Sequence, residues 1–180
     1  IKVPKFKVHR QVIATFAVKN MFGCVCGKRK AFLHFIKGKN DSDFCTMLIE
    51  IYKFLNPVLT IIDGITVMEG NGPIRGTPRK LGWIIGGTEP IAIERVCAKL
   101  VGIEPETLPI VKAAAQMHFG CCDTNKIKIA GDDFADKVCR DFKAAEPLEI
   151  RFSFGHVCKS IGRQIWLLAK NRIIYASKEE

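Results

Sequence analysis

Phe44, Leu48, Ile51 and Leu55 recur at intervals of three or four residues. That spacing gathers them on one face of a helix and predicts a helix over Asp41–Leu55. Asp41 or Ser42 is placed to cap its start, and Pro57, which has no amide hydrogen, stops it. Val58–Ile62 is a short unbroken apolar run, the mark of a buried strand, and Asp63-Gly64 reads as the turn after it. Leu81–Ile85 repeats the pattern and closes on Gly86-Gly87. Thr88, with Pro90 in the first turn, predicts a capped helix that reaches Leu100 and ends at Gly102. A further helix covers Pro105–Phe119. Lys126–Ala130 alternates like a strand, and Gly131-Asp132 opens another helix. Beyond it, Leu148–Phe154 and Arg172–Tyr175 read as strands and Ile161–Lys170 as a helix.

Before residue 41 the pattern decides less. Ile1–Pro4 reads as the end of a buried strand. Val12–Phe22 is so apolar that periodicity does not separate helix from strand. Gly23–Gly38, rich in Gly and Lys, reads as a loop with one short turn of helix. Strand and helix alternate after residue 56. The expected architecture is therefore α/β, a layered sheet with helices on its faces, in a single domain over residues 1–180.

Composition adds the solvent and the partners. The 180 residues can bury one sizeable core, and 48% apolar with 26% charged is ordinary for a globular chain. No apolar run approaches the roughly 20 residues of a membrane helix, and no secretory signal stands at the start. The eight cysteines show no compact framework spacing, so they are expected as reduced thiols in a cytoplasmic protein with no membrane partner. The net charge of +10 attracts anions. The basic residues are spread along the chain and no RNA-reading motif accompanies them, so a small anionic ligand is favoured over nucleic acid.

Two stretches carry candidate chemistry. Ile65–Lys80 is punctuated by Gly70, Gly72, Pro73, Gly76 and Pro78 and reads as a long irregular loop after a buried strand, where α/β proteins place their sites. Asp63 and Glu69 could bind metal or move protons there, Asn71 and the backbone of Gly72 could contact a ligand, and Arg75 could clamp a carboxylate or phosphate. No Gly-Lys-Ser/Thr follows, so it is not a phosphate-binding P-loop. The plainer reading is a structural loop whose Asp and Asn cap turns. The second stretch crowds His9, Lys19, Asn20, Cys24, Cys26, Lys30 and His34 into the N-terminal region. Neutral imidazole and thiolate both bind transition metals, which makes His9, His34, Cys24 and Cys26 candidate ligands. Cys24-x-Cys26 is shorter than a zinc pair and is not the four-cysteine run of a ferredoxin. For each His alone, a hydrogen-bonded structural role is the default. Cys121-Cys122 read as packed or loop thiols, and His118 and His156 have no chemical pattern around them.

The runs Pro4-Lys5-x-Lys7-x-His9, Lys19-Asn20-x-Phe22-Gly23 and Lys30-x-x-x-His34 resemble the signature of the domain of unknown function 362 family. The run Ile62-Asp63-Gly64…Met68-Glu69-Gly70-Asn71-Gly72-Pro73…Gly76 is similar to its second signature, and Gly82-x-Ile84-Ile85-Gly86-Gly87-Thr88-Glu89-Pro90-Ile91-Ala92-Ile93-Glu94 to its third. The resemblance covers residues 1–131 and leaves 132–180 as a C-terminal extension. Members usually carry Asp at the positions of Glu89 and Glu94, a sizeable region before the position of Pro4, and often a ferredoxin-like cysteine cluster. The resemblance thus implies a chain holding the C-terminal portion of the family's fold. The family's association with iron–sulfur segments implies redox work and a redox partner protein. His9, Lys19 and His34 stand at spacings of ten and fifteen, which is remotely similar to the nickel-pincer lactate racemases. That similarity implies a cofactor tethered to Lys19, with the His residues serving metal and proton transfer. On a single helix, His9 and Lys19 would be separated by about 15 Å.

Three readings result. The first is a metal- or cofactor-dependent enzyme of redox or isomerase type on a small anionic substrate, with catalytic His9, Lys19, His34, Asp63 and Glu69 facing Asn20, Asn71, Gly72 and Arg75. The second is a non-catalytic iron–sulfur or electron-transfer accessory protein using Cys24 and Cys26. The third is a basic nucleic-acid or scaffold protein.

Overall fold

Strands β1 (Lys5–His9) and β2 (Ile13–Thr15) form a tight antiparallel pair, with Lys7 opposite Thr15 and His9 opposite Ile13. β1 also pairs in parallel with β3 (Thr60–Asn71), and β3 pairs antiparallel with β4 (Arg75–Gly87). The result is one mixed four-stranded sheet in the order β2-β1-β3-β4. These positions come from a computed structural model that describes residues 1–72, 75–133 and 137–145, with Arg75 as backbone only. All of them lie in one unit, Ile1–Glu149. The elements read from sequence over Leu148–Phe154, Ile161–Lys170 and Arg172–Tyr175 fall outside the described residues.

The helices are α1 (Gly27–Lys37), α2 (Asp41–Leu55), α3 (Pro90–Leu100) and α4 (Pro109–Gln116), with short 3₁₀ helices at Lys19–Cys24, Pro105–Thr107 and Thr124–Lys126. The α/β architecture read from the sequence is the observed one. Two apolar clusters fill it. Phe6, Val8 and Phe16 meet Ile62, Val67 and the α3 residues Ile93, Cys97 and Ala98 on one side. Phe22, Phe44, Leu48, Ile49, Ile91 and Ile110 form the other, joining α2 to α4 and the first 3₁₀ helix.

Several expected elements are corrected. The loop over Ile65–Lys80 is a long β-hairpin, paired from Thr60 opposite Gly87 to Asn71 opposite Arg75. Its Gly and Pro have strand explanations: β4 is an edge strand, where Pro78 is tolerated, and Gly82, at φ +78°, sits beside a break in register. Asp63-Gly64 is accordingly strand, not turn. The loop over Gly23–Gly38 contains the 11-residue α1, none of whose side chains is fully buried: Leu33 packs on the edge of the core, while Phe32 and Ile36 are exposed. The first strand begins at Lys5. Lys2 makes only a lone bridge to Thr60, while Ile1 and Val3 are exposed. Val12–Phe22 is neither one helix nor one strand but β2 followed by the start of a 3₁₀ helix.

The caps also move. Asn40 caps α2, its Oδ1 accepting from the Asp43 N–H at 2.8 Å, and Asn56 ends it in the left-handed region at φ +39°. Glu89, not Thr88, caps α3 by accepting from the N–H groups of Ile91 and Ala92. Pro109 restarts the chain as α4, which divides the helix expected over Pro105–Phe119. Residues 127–130 form no strand. Residues 131 and 132 bend, and the helix expected after them falls partly on 134–136, outside the described residues.

Candidate functional site

β1 sets the first two site residues. Phe6 and Val8 point into the core, so Lys7 and His9 project from the opposite face. The chain reverses at once into β2, then runs buried through Phe16, Ala17 and Val18 into the 3₁₀ helix that opens with Lys19-Asn20. This reversal, not a helix, joins His9 to Lys19, and it removes the 15 Å separation a helix would impose. α1 then brings Lys30 and His34, one helical turn apart, to the same place. The His34 ring lies 4.8 Å from the Phe44 ring and 5.9 Å from that of Phe22. The Lys30 ammonium stands 5.3 Å from the Phe22 ring centre.

The charges of this cluster act on one another. Burial, then Lys19, His34 and Lys7, push His9 down to about 3. Burial, then Lys7 and Lys30, bring Lys19 down to about 8. Burial chiefly, with Lys19 and Lys30, also lowers His34. Both imidazoles are therefore neutral at pH 7, and Lys19 is close to sharing its proton with water. His9 Nδ1 accepts from the Gln11 N–H at 3.2 Å, which leaves the proton of the neutral ring on Nε2. Gln11 in turn donates through Nε2 to the Gly38 carbonyl at 3.0 Å, tying the β1–β2 turn to the end of α1.

The hairpin residues divide. Gly72 is packed against β1: a Cβ there would come within 2.6 Å of the Val8 side chain and 3.1 Å of its carbonyl oxygen. The Asn71–Gly72 tip thus lies beside the residue before His9. Arg75 pairs with Asn71 through the backbone. Asp63 lies elsewhere, opposite Lys5, with Lys5 Nζ 2.7 Å from its Oδ2. Lys5 is four residues from His9, about 13 Å along a strand. Glu69 is buried and engaged: Oε2 accepts from Arg79 Nη1 and from the Lys143 N–H, both at 3.2 Å. Arg79 also holds Asp141 through two bonds, at 2.7 and 2.8 Å.

Two neutral imidazoles and two exposed thiols were the candidate metal ligands. Cys26 Sγ points to the Cys24 carbonyl at 3.6 Å. Among the described residues, no three His, Cys, Asp or Glu side chains gather to hold an ion. An iron–sulfur cluster needs four such ligands and zinc at least three, so the described residues alone do not fit either group. Lys19, lowered to about 8 chiefly by burial, has the chemistry that covalent attachment of a carbonyl-bearing group would need. A cavity of about 680 Å³, lined by Trp83, Ile85, Ile93, Val96, Cys121 and Ile127 among others, shares no residue with the cluster.

Residues 1–99 match the family described as Domain of unknown function (DUF362). The chain belongs to the DUF362 family. The matched stretch contains the whole basic cluster of this DUF362 chain. The chain is also 42% identical over 120 residues to "Thylakoid-associated protein sll1697" of Synechocystis sp. (strain ATCC 27184 / PCC 6803 / Kazusa), a match that covers 67% of this chain and 37% of that protein. The matched part is thus well under two thirds of the relative's length. No solved structure matches. No helix among the described residues is long and apolar enough to cross a membrane.

Sequence reasoning missed two members of the site's frame, Gln11 and Glu94. Gln11 gave no signal. Glu94 gave one: it is an acid in the apolar row Ile91, Glu94, Cys97, Ala98, and a charge on the buried face of a helix needs a partner.

Proposed function

We propose that this DUF362 chain supplies the ligand-holding and proton-handling part of an enzyme site for a small carboxylate or phosphate, of cofactor-dependent redox or isomerase type. One observation carries the reading: His9, Lys19 and His34 lie close enough to Lys7 and Lys30 that burial, with these neighbouring lysines, lowers the proton affinity of all three. Such an arrangement costs stability in the free protein, and a bound anion offsets the cost. Lys7 and Lys30 supply fixed charge. His9 presents its Nε2–H as a donor. Lys19 either holds the anion as an ammonium or serves, unprotonated, as the attachment point for a carbonyl-bearing cofactor or substrate. A bound anion raises the proton affinity of His9 and Lys19, so binding takes up protons.

Calorimetric titration with inorganic phosphate and with oxalate tests the reading. It expects binding accompanied by proton uptake, seen as a heat that changes with the buffer's ionisation enthalpy. Wild-type protein that binds neither anion would defeat it. Intact mass of natively purified protein adds a separate check, since a modified Lys19 would identify the attached group directly.

A further inference from the structure

Glu94 and Lys2 close on one short stretch of backbone. Glu94 is fully buried on α3, and its Oε1 accepts the Val18 N–H at 2.8 Å. The Ala17 N–H also favours the charged form of this carboxylate. From the other side, Lys2 Nζ donates to the Ala17 carbonyl and lies 4.4 Å from the centre of the Tyr52 ring. The Ala17 carbonyl and the Val18 N–H are thus held by side chains distant in sequence. The next element is the 3₁₀ helix that opens with Lys19, and its cap residue Val18 has no side chain able to cap it. The N–H of that cap residue has no partner within the helix, and a carboxylate from another helix accepts it.

That carboxylate stands where an apolar residue would ordinarily be more stabilising. On its face of α3 it lies in the row of buried Ile91, Cys97 and Ala98, and burial pushes Glu94 up to about 7 even though the Val18 and Ala17 N–H groups and Lys2 oppose the rise. An acid retained at such a position has work that Leu cannot do.

We infer that Glu94 is a positioning residue for Lys19: by holding the Val18 N–H it fixes where the 3₁₀ helix begins and keeps the Lys19 amine among Lys7, Lys30 and the two imidazoles. The inference rests on the reading of Lys19 as a site lysine. It names a residue on α3, outside the basic cluster itself, on which the geometry of that cluster depends.

The test is the rate at which an amine-reactive reagent labels Lys19 at pH 8, normalised to Lys53 in the same molecule and compared with the thermal midpoint. Glu94→Leu fills the buried volume but removes both acceptor oxygens. It should slow Lys19 labelling at least tenfold, as the amine swings into water and regains its ordinary affinity for a proton. Glu94→Gln, which keeps one acceptor for Val18, should restore the rate to within about threefold of wild type. If Glu94→Leu does not fold, Lys2→Met opens the other side of the clamp and should slow labelling in the same direction. Normal Lys19 labelling in every folded variant, whatever its thermal midpoint, would reduce Glu94 to a structural residue and overturn the inference. Wild-type protein without affinity for phosphate or oxalate, but with Lys19 labelling still dependent on Glu94, would sink the anion-site reading and leave the clamp in place.

Discussion

Two polar clusters of this protein look alike in sequence and differ in kind. Around β1, Lys7, Lys19 and Lys30 bring positive charge to two neutral imidazoles, and burial with these lysines lowers the proton affinity of His9, Lys19 and His34. Around the hairpin, Glu69, Arg79 and Asp141 bring opposite signs together, and each stabilises the charged form of another. The second cluster is complete. It fastens residues 141–143 to β3 and β4, and the Gly70 N–H donation to the Lys143 carbonyl reinforces it. On the reading proposed above, an anion would complete the first. Matched charges in a fold indicate structure, and a surplus of one sign held half-buried indicates a ligand.

The largest effect that sharpens this contrast comes from Glu94, the buried acid beneath the basic cluster. Its folded-state value is raised from 4.5 to about 7. The stability it contributes is therefore full below pH 4.5 and is lost as pH rises through 7. Glu94→Gln should flatten that part of the stability profile by about 3 kcal/mol in urea unfolding followed from pH 4.5 to 8. An unchanged slope would mean that Glu94 is not the titrating group.

Next in size is Glu69→Ala. It leaves Arg79 and the Lys143 N–H without their shared buried acceptor and should cost about 2 kcal/mol in unfolding free energy, with phosphate affinity unchanged. A loss of phosphate affinity there would break the separation between the two clusters.

Lys19→Met should do the reverse. Phosphate or oxalate affinity is expected to fall about tenfold, about 1.4 kcal/mol, while the thermal midpoint stays or rises because a like charge has left. In wild type the same affinity should weaken as pH rises through about 8, where Lys19 gives up its charge. Affinity that is flat across that range would place the anion elsewhere.

The smallest effect is expected at Asp63. Its pair with Lys5 is exposed, and such pairs contribute little. Asp63→Asn should change neither phosphate affinity nor unfolding resolvably.

Much of this site was legible in the chain, but unevenly. His9, Lys19, Asn20 and His34 were identifiable as a group from their crowding and from the family signature, and the fold brings His9, Lys19 and His34 together. Asp63 and Glu69 were equally attractive as carboxylates in a glycine-rich stretch. Nothing local distinguished a free acid from one held by Arg79, because Arg79 lies ten residues away across a hairpin. The hairpin was itself hidden, since glycine and proline mark loops and edge-strand bulges alike. α1 was hidden because its apolar residues are only partly buried or exposed and follow a Gly- and Lys-rich start.

What the sequence determined by itself is local. The periodicity of Asp41–Leu55 and the Pro90 and Gly102 signals around α3 delimit those helices, because hydrogen bonding and stop residues act within a turn or two. The excess of positive charge is also a property of the chain alone. Only the tertiary structure decided which charges meet. A two-stranded reversal returned Lys19 to His9, and a carboxylate on α3 reached back to Val18 to hold it there. Such contacts join residues far apart in the chain. Their strength depends on burial, which long-range packing creates and no short window of sequence contains.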